Sequence, residues 1–118
     1  MKIPNRSEVP KSGYYYHYKH DPAGSVYNYA YFFLNAGIHT EDDCRPQDSA
    51  MTVYLPLYED ATVYQAGKYF DLRPLGMWTE TATKDGQKVP RFRRITDEAV
   101  IAQLRTIRQQ MYAELFGG

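Results

Sequence analysis

Period-two alternation led by tyrosine is the feature that most limits the folds open to this chain. Twelve of its 118 residues are tyrosine, and seven of these (Tyr14, Tyr15, Tyr16, Tyr18, Tyr27, Tyr29 and Tyr31) fall between Gly13 and Leu34. Alternation at every second position reads as strand rather than helix. A tyrosine has a large apolar face and one polar tip, so it suits places with one dry end and one wet end. A small core needs few such residues. So dense a set predicts a concave or flat surface whose rings meet a flat ligand, a nucleic-acid strand or another protein.

The alternation can be followed along most of the chain. Residues 1–12 hold two prolines and mixed charge and read as a loose arm. Gly13 to Lys19 is aromatic and extended, and Asp21-Pro22-Ala23-Gly24 supplies a turn. From Val26 to Leu34, Tyr27, Tyr29, Tyr31 and Phe33 project to one face; Val26, Ala30, Phe32 and Leu34 project to the other. Such a strand is expected to be covered on both sides, with Asn28 needing a partner if buried. Met51 to Tyr58 alternates again, and Pro56 predicts an edge or a bulge there because proline has no donor for a ladder. A short strand is expected at Thr62 to Ala66, then a turn at Ala66-Gly67-Lys68 leading into Tyr69 to Arg73. Asp85-Gly86, between the β-rich runs Met77 to Thr83 and Gln87 to Ile95, has the composition of a tight hairpin turn.

The period then changes. Val100, Ile101, Leu104, Ile107, Met111 and Leu115 recur every three or four residues behind Thr96, Asp97 and Glu98, a helix start with acids at the positive end of the dipole. One domain is expected: a β domain over 13–95, and an amphipathic helix over 96–116 packed on that domain or on a dimer partner. A homo-oligomer through this helix is the expectation.

Composition narrows the function classes. Fourteen basic residues balance fourteen acidic ones, so no global field draws the chain to nucleic acid or membrane. The single cysteine, Cys44, excludes an internal disulfide and fits a reducing compartment. No apolar run has the length of a membrane span and the first residues lack a secretory signal, so a cytoplasmic protein is expected.

Four blocks carry candidate chemistry. His39-Thr40-Glu41 puts two proton-transfer groups on one face of an extended segment. With His17 these would be the catalytic residues of a small hydrolase, Glu41 as base and a histidine as acid; alternatively the block shapes a turn. The acidic run around Glu41, Asp42 and Asp43 has neither zinc-site nor calcium-loop spacing, so no metal and no cofactor is expected. Lys84, Lys88, Arg91, Arg93 and Arg94 crowd around Phe92, and could grip phosphates of a single strand while tyrosines stack on bases. The same charges would equally discourage aggregation at an edge. Arg73 could clamp a phosphate or carboxylate, or brace the fold against Glu80 or Glu41.

Five short blocks in order resemble one family. Tyr16-His17-Tyr18-Lys19, His39-Thr40-Glu41, Thr52-Val53-Tyr54, Leu72-Arg73-Pro74-Leu75-Gly76-Met77-Trp78 and Val89-Pro90-Arg91-Phe92 resemble the bacterial domain-of-unknown-function family 1653, over roughly residues 13–92. The resemblance implies a small barrel of the Src-homology-3 type and no defined biochemistry. Against the family pattern, the chain is longer between His17 and His39 and between Glu41 and Arg73. Trp78 stands where phenylalanine is usual, and the C-terminal helix is an addition.

Together these observations predict a mainly β protein, a small Src-homology-3-like β-barrel with an added C-terminal α-helix, acting as a binding module rather than an enzyme. A nucleotide-like or other flat anion would be held by Tyr16, His17, Tyr18, Lys19, His39, Glu41, Tyr54, Arg73 and Trp78. Protein interaction through the tyrosine strand and the helix, hydrolysis at His39, Glu41 and His17, and single-strand binding by Lys88, Arg91, Arg93 and Arg94 stay open.

Overall fold

The computed structural model describes residues 3–41, 43–59, 69–113 and 115. Among these residues the chain runs β1 (Gly13–His17), β2 (Ala30–Ile38), β3 (Ala50–Pro56), β4 (Asp71–Pro74), α1 (Leu75–Thr79), β5 (Thr81–Lys84), β6 (Gln87–Pro90), β7 (Phe92–Arg94) and α2 (Glu98–Met111). Single 3-10 turns occupy Arg6–Glu8 and Pro46–Asp48. Five strands make one antiparallel sheet in the order β4-β3-β2-β1-β7, and β5 pairs with β6 in a separate hairpin.

The mainly β architecture with a C-terminal helix is therefore as expected, but the strands form no closed barrel. Among the described residues β4 and β7 are the sheet's edges. Pro74 ends β4, and its lack of an N–H leaves no donor to extend the ladder. The chain turns into α1, not the β-rich run expected from Met77, because Leu75 and Trp78, three residues apart, are both buried on the helix. The hairpin that follows lies off the sheet. Its turn is as expected: Asp85 and Gly86 both have positive φ, 53° and 78°, which suits a two-residue hairpin connection.

Residues directly opposite in an antiparallel ladder share a face, and the register sorts the side chains into two cores. Tyr14 opposite Phe32, and Phe32 opposite Leu55, face one way. They form a core with Ala30, Leu57, Ile95, Leu104 and Tyr112. Tyr15 opposite Tyr31, Phe33 opposite Tyr54, and Phe92 opposite His17 face the other way. That second core, completed by Trp78, consists wholly of aromatic residues among its buried members. Both sides of residues 30–33 are covered, as the alternation requires.

Helix α2 covers the first core. Asp97, rather than Thr96, is its N-cap, and the carboxylate accepts from the Ala99 and Val100 N–H groups. Val100, Ile101, Ile107 and Met111 pack around the fully buried Leu104, and the Tyr112 hydroxyl donates to Pro56 O at 2.7 Å. The helix ends at Met111, short of the glycines, because Tyr112 turns its ring into the core and takes a non-helical ψ.

Two further expectations are corrected. Strand β2 begins at Ala30, so Tyr27 and Tyr29 lie in a turn and remain 44% and 38% exposed. The Asn28 amide donates to Asp21 O and Ser25 O and accepts from Asp21 N–H, which closes the 21–28 loop and leaves no extended backbone there. Pro56 does not mark an edge, because β3 is interior. It is the strand's last residue, beyond the Met51–Tyr54 stretch that pairs with β4, where that flank needs no donor. The segments expected as strand and turn at 62–68 lie outside the described residues.

Candidate functional site

Two consecutive turns at the end of β1 build an aromatic cleft. His20 N–H donates to His17 O at 2.9 Å, and Gly24 N–H to Asp21 O at 3.0 Å. These turns fold the chain back so that the His20 ring lies on Tyr16, with centroids 3.5 Å apart and planes 14° apart. The Tyr16 hydroxyl donates to Val26 O at 2.5 Å, anchoring the ring to the loop beyond. The β5–β6 hairpin and β7 form the opposite wall. Its volume is about 260 Å³, lined by Tyr16, His17, Tyr18, His20, Pro22, Lys84, Val89, Pro90 and Arg93.

Among the described residues no lining residue is acidic, while Lys84 and Arg93 are both basic. Among the described residues Arg93 has no carboxylate within ion-pairing distance. Tyr16 is held above the usual phenol range, first by burial and then by Asp97, with Arg93 opposing. His17 goes the other way. Burial, then the charges of Arg91, Lys19 and Arg73, lower its pKa to about 4, so at neutral pH the ring is uncharged. Its neighbours are aromatic: Tyr18 at 4.4 Å, Tyr29 at 5.5 Å and Phe92 at 5.2 Å between centroids.

The residues singled out in the sequence divide between this cleft and other places. Tyr16, His17, Tyr18 and Arg93 line it, and Lys19 lies beside it with its ammonium 5.9 Å from the Tyr18 ring. His39 and Glu41 are elsewhere. They follow the far end of β2, whose nine residues span on the order of 30 Å, whereas His17 bonds to Tyr29 at the near end. Both are exposed, and His39 Nδ1 accepts from the Glu41 N–H at 3.1 Å, the geometry of a turn. Tyr54 and Trp78 are buried in the aromatic core. Trp78 is stacked on Phe92 at 3.7 Å and 4°.

The cations are equally divided. Arg73 lies over Tyr54 and Phe92 at 5.9 and 6.0 Å, and it pairs with neither Glu80 nor Glu41. Glu80 is taken by Arg91 at 2.6 Å. Arg94 donates to Ser12 O at 3.3 Å, and Lys88 is exposed on β6.

Sequence reasoning passed over His20, although the adjoining turn signals at Asp21 to Gly24 foretold that the chain doubles back there. Among the described residues no three histidine, cysteine or acidic side chains gather as metal ligands. A second cleft of about 440 Å³ is lined by residues such as Pro4, Glu8, Pro46 and Leu75. Among the described residues its lining has no aromatic ring and one charged residue, Glu8.

Fold and site define a small mainly β domain whose open sheet carries an aromatic, basic cleft at one end. The chain belongs to the family described as Protein of unknown function (DUF1653), whose model matches residues 13–94. No curated protein and no solved structure matches it. The family span covers both walls of the cleft and the whole sheet, and α2 lies beyond it. No helix among the described residues is long and apolar enough to cross a membrane.

Proposed function

We propose that the protein is a non-catalytic binding module that holds a small, flat, nucleotide-like anion in the cleft between residues 16–22 and the β5–β6 hairpin. The observation that carries this reading is the meeting of Tyr16, Tyr18 and His20 with Lys84 and Arg93 in one cleft whose described lining residues include no acid. Rings supply stacking surface and cations answer a phosphate or carboxylate. Arg73 adds positive potential near His17. A general-acid role for His17 is disfavoured because burial and the neighbouring cations keep its ring uncharged at neutral pH.

Calorimetric titration with nucleoside monophosphates tests this. Binding that is lost in Tyr16→Ala and Arg93→Glu, with the fold intact, supports the cleft; no heat from any nucleotide counts against it.

A single nucleic-acid strand is the second reading, favoured because the hairpin that brings Lys84 to the cleft also exposes Lys88. Affinity for an oligothymidine would then fall steeply with salt and with Arg93→Ala. A homo-oligomer through α2 would have to use the helix's outer residues, since its apolar stripe packs on the sheet of the same chain.

A further inference from the structure

We propose that the aromatic face of the sheet holds a second site, apart from the cleft, in which Arg73 receives the carboxylate of a small aromatic acid. Register places Arg73 on that face. It lies opposite Thr52 in the β3–β4 ladder, two positions from Tyr54, and so shares a side with Tyr54 and Phe92. Arg93 follows Phe92 and points the other way, paired with Tyr16. The Thr52 hydroxyl donates to Arg73 O at 2.8 Å, which fixes the backbone beneath the side chain. The guanidinium lies 5.9 Å from the Tyr54 centroid and 6.0 Å from that of Phe92. A guanidinium that rests its flat face on rings keeps its N–H fork in the plane for an acceptor.

Among the described residues nothing answers that fork. Arg73 is half-buried, yet its side chain makes no ion pair and donates no hydrogen bond. Its neighbours differ: Arg91 is paired with Glu80 at 2.6 Å, and Arg94 donates to Ser12 O. One uncompensated charge matches a monoanion, and a planar fork matches the two oxygens of a carboxylate. A phosphate dianion calls for more positive charge than Arg73 alone supplies.

Beside Arg73 four rings form a wall. His17 lies 5.5 Å from Tyr29 and 6.5 Å from Tyr31, and Tyr58 lies 5.8 Å and 5.5 Å from the same two. The charge of Arg73 acts on two of the four: it helps to keep His17 unprotonated and opposes the burial that raises Tyr31. The guanidinium therefore borders this wall. Tyr29 carries an independent mark of a site. Its φ is 51°, a left-handed conformation that glycine or asparagine adopts at lower cost. Such strain gathers at binding sites, where the surroundings hold it. Here the ring is turned onto His17, with planes 25° apart, and stays 38% exposed. It offers an open flat surface to the body of the acid.

The experiment uses the full chain, isotope-labelled at arginine, titrated with benzoate, benzamide, acetate and inorganic phosphate. The readout is the Arg73 Nε–H resonance, assigned from its absence in Arg73→Gln. Benzoate should move it; benzamide, with the same ring and no charge, should not. Benzoate should bind roughly threefold to tenfold tighter than acetate, the scale of one aromatic contact, and Tyr29→Ala should remove that preference. Arg73→Gln should weaken benzoate by roughly tenfold to a hundredfold. Arg73→Lys, which keeps the charge without the fork, should recover only part of that loss. An excess of adenosine monophosphate should not displace benzoate, because Arg93 lies on the other side of the sheet. A resonance that benzoate leaves in place, an equal shift from benzamide, a larger shift from phosphate, or displacement by the nucleotide overturns this second site. Each of these leaves the cleft reading standing, since that reading fails on a different result, the absence of nucleotide binding.

Discussion

The indole of Trp78 lies flat on the ring of Phe92, 3.7 Å between centroids and 4° between planes, and so joins α1 to β7 across the aromatic core. Trp78 is 2% exposed and also meets Tyr15, Phe33 and Tyr54 within 6 Å. Its place is structural. Trp78→Ala should cost about 3–5 kcal/mol in urea unfolding, and Trp78→Phe much less. Since this is the only tryptophan, the wild-type fluorescence should shift to the red on unfolding.

His17 makes stability depend on pH. The unfolded chain takes up this proton near pH 6.5, but the folded chain takes it up only near pH 4. The unfolded state therefore binds more protons in that window, and stability falls as pH drops through it. Above pH 6.5 the full stability remains. With allowance for solvent screening of a part-exposed ring, the loss by pH 4 is on the order of 1–2 kcal/mol. Urea midpoints across the window should show this slope in the wild type and a flatter one in His17→Phe.

The two neighbouring arginines of β7 should separate in function. Arg93 lines the cleft, whereas Arg94, on the opposite face, donates to Ser12 O. Arg93→Glu should weaken nucleotide binding by roughly tenfold to a hundredfold, the range for a charge-assisted hydrogen bond. Arg94→Glu should change it little. Parallel titrations of the two variants check this, and equal losses would remove the cleft from consideration.

Capping at Asp97 should be measurable apart from binding. Its carboxylate accepts from the Ala99 and Val100 N–H groups at 2.9 and 3.3 Å, so Asp97→Ala should cost about 1 kcal/mol. Leu104→Ala, beneath the same helix and fully buried, should cost about 2–5 kcal/mol. Thermal and urea unfolding of both variants would show whether α2 is part of the folding unit.

Gly86 carries the hairpin that brings Lys84 to the cleft. Its φ is 78°, and nothing lies within 4 Å of a Cβ built on it, so Gly86→Ala meets conformational strain alone, about 1–2 kcal/mol. The variant should unfold earlier and bind nucleotide more weakly. An Asp85→Asn change, favourable in such turns, should do neither.

Much of the local structure was legible because its causes are local. The Asp85-Gly86 turn needs two residues that tolerate positive φ, and the switch from period two to period 3.6 after Ile95 marks a helix wherever it packs. Tyr14 to Tyr16 and Ala30 to Phe33 alternate because both faces of the sheet are covered. Tyr27 and Tyr29 continue that alternation in sequence but not in space, because Asn28 satisfies three backbone groups of the 21–28 loop and stops the strand. Trp78 looked like a site residue for the same reason it packs well: a large ring with a polar atom serves a cleft or a core equally.

The sequence by itself determined the β-rich class, the capped C-terminal helix, the family and the density of rings, since these follow from residue type and short-range spacing. Only the tertiary structure decided which rings face a cavity. Register and the paired turns after β1 bring His20 onto Tyr16 and carry the β5–β6 hairpin across from them, while the length of β2 holds His39 and Glu41 at the far end. Contacts between residues tens of positions apart depend on how strands align and where the chain reverses, and no local pattern encodes that distance.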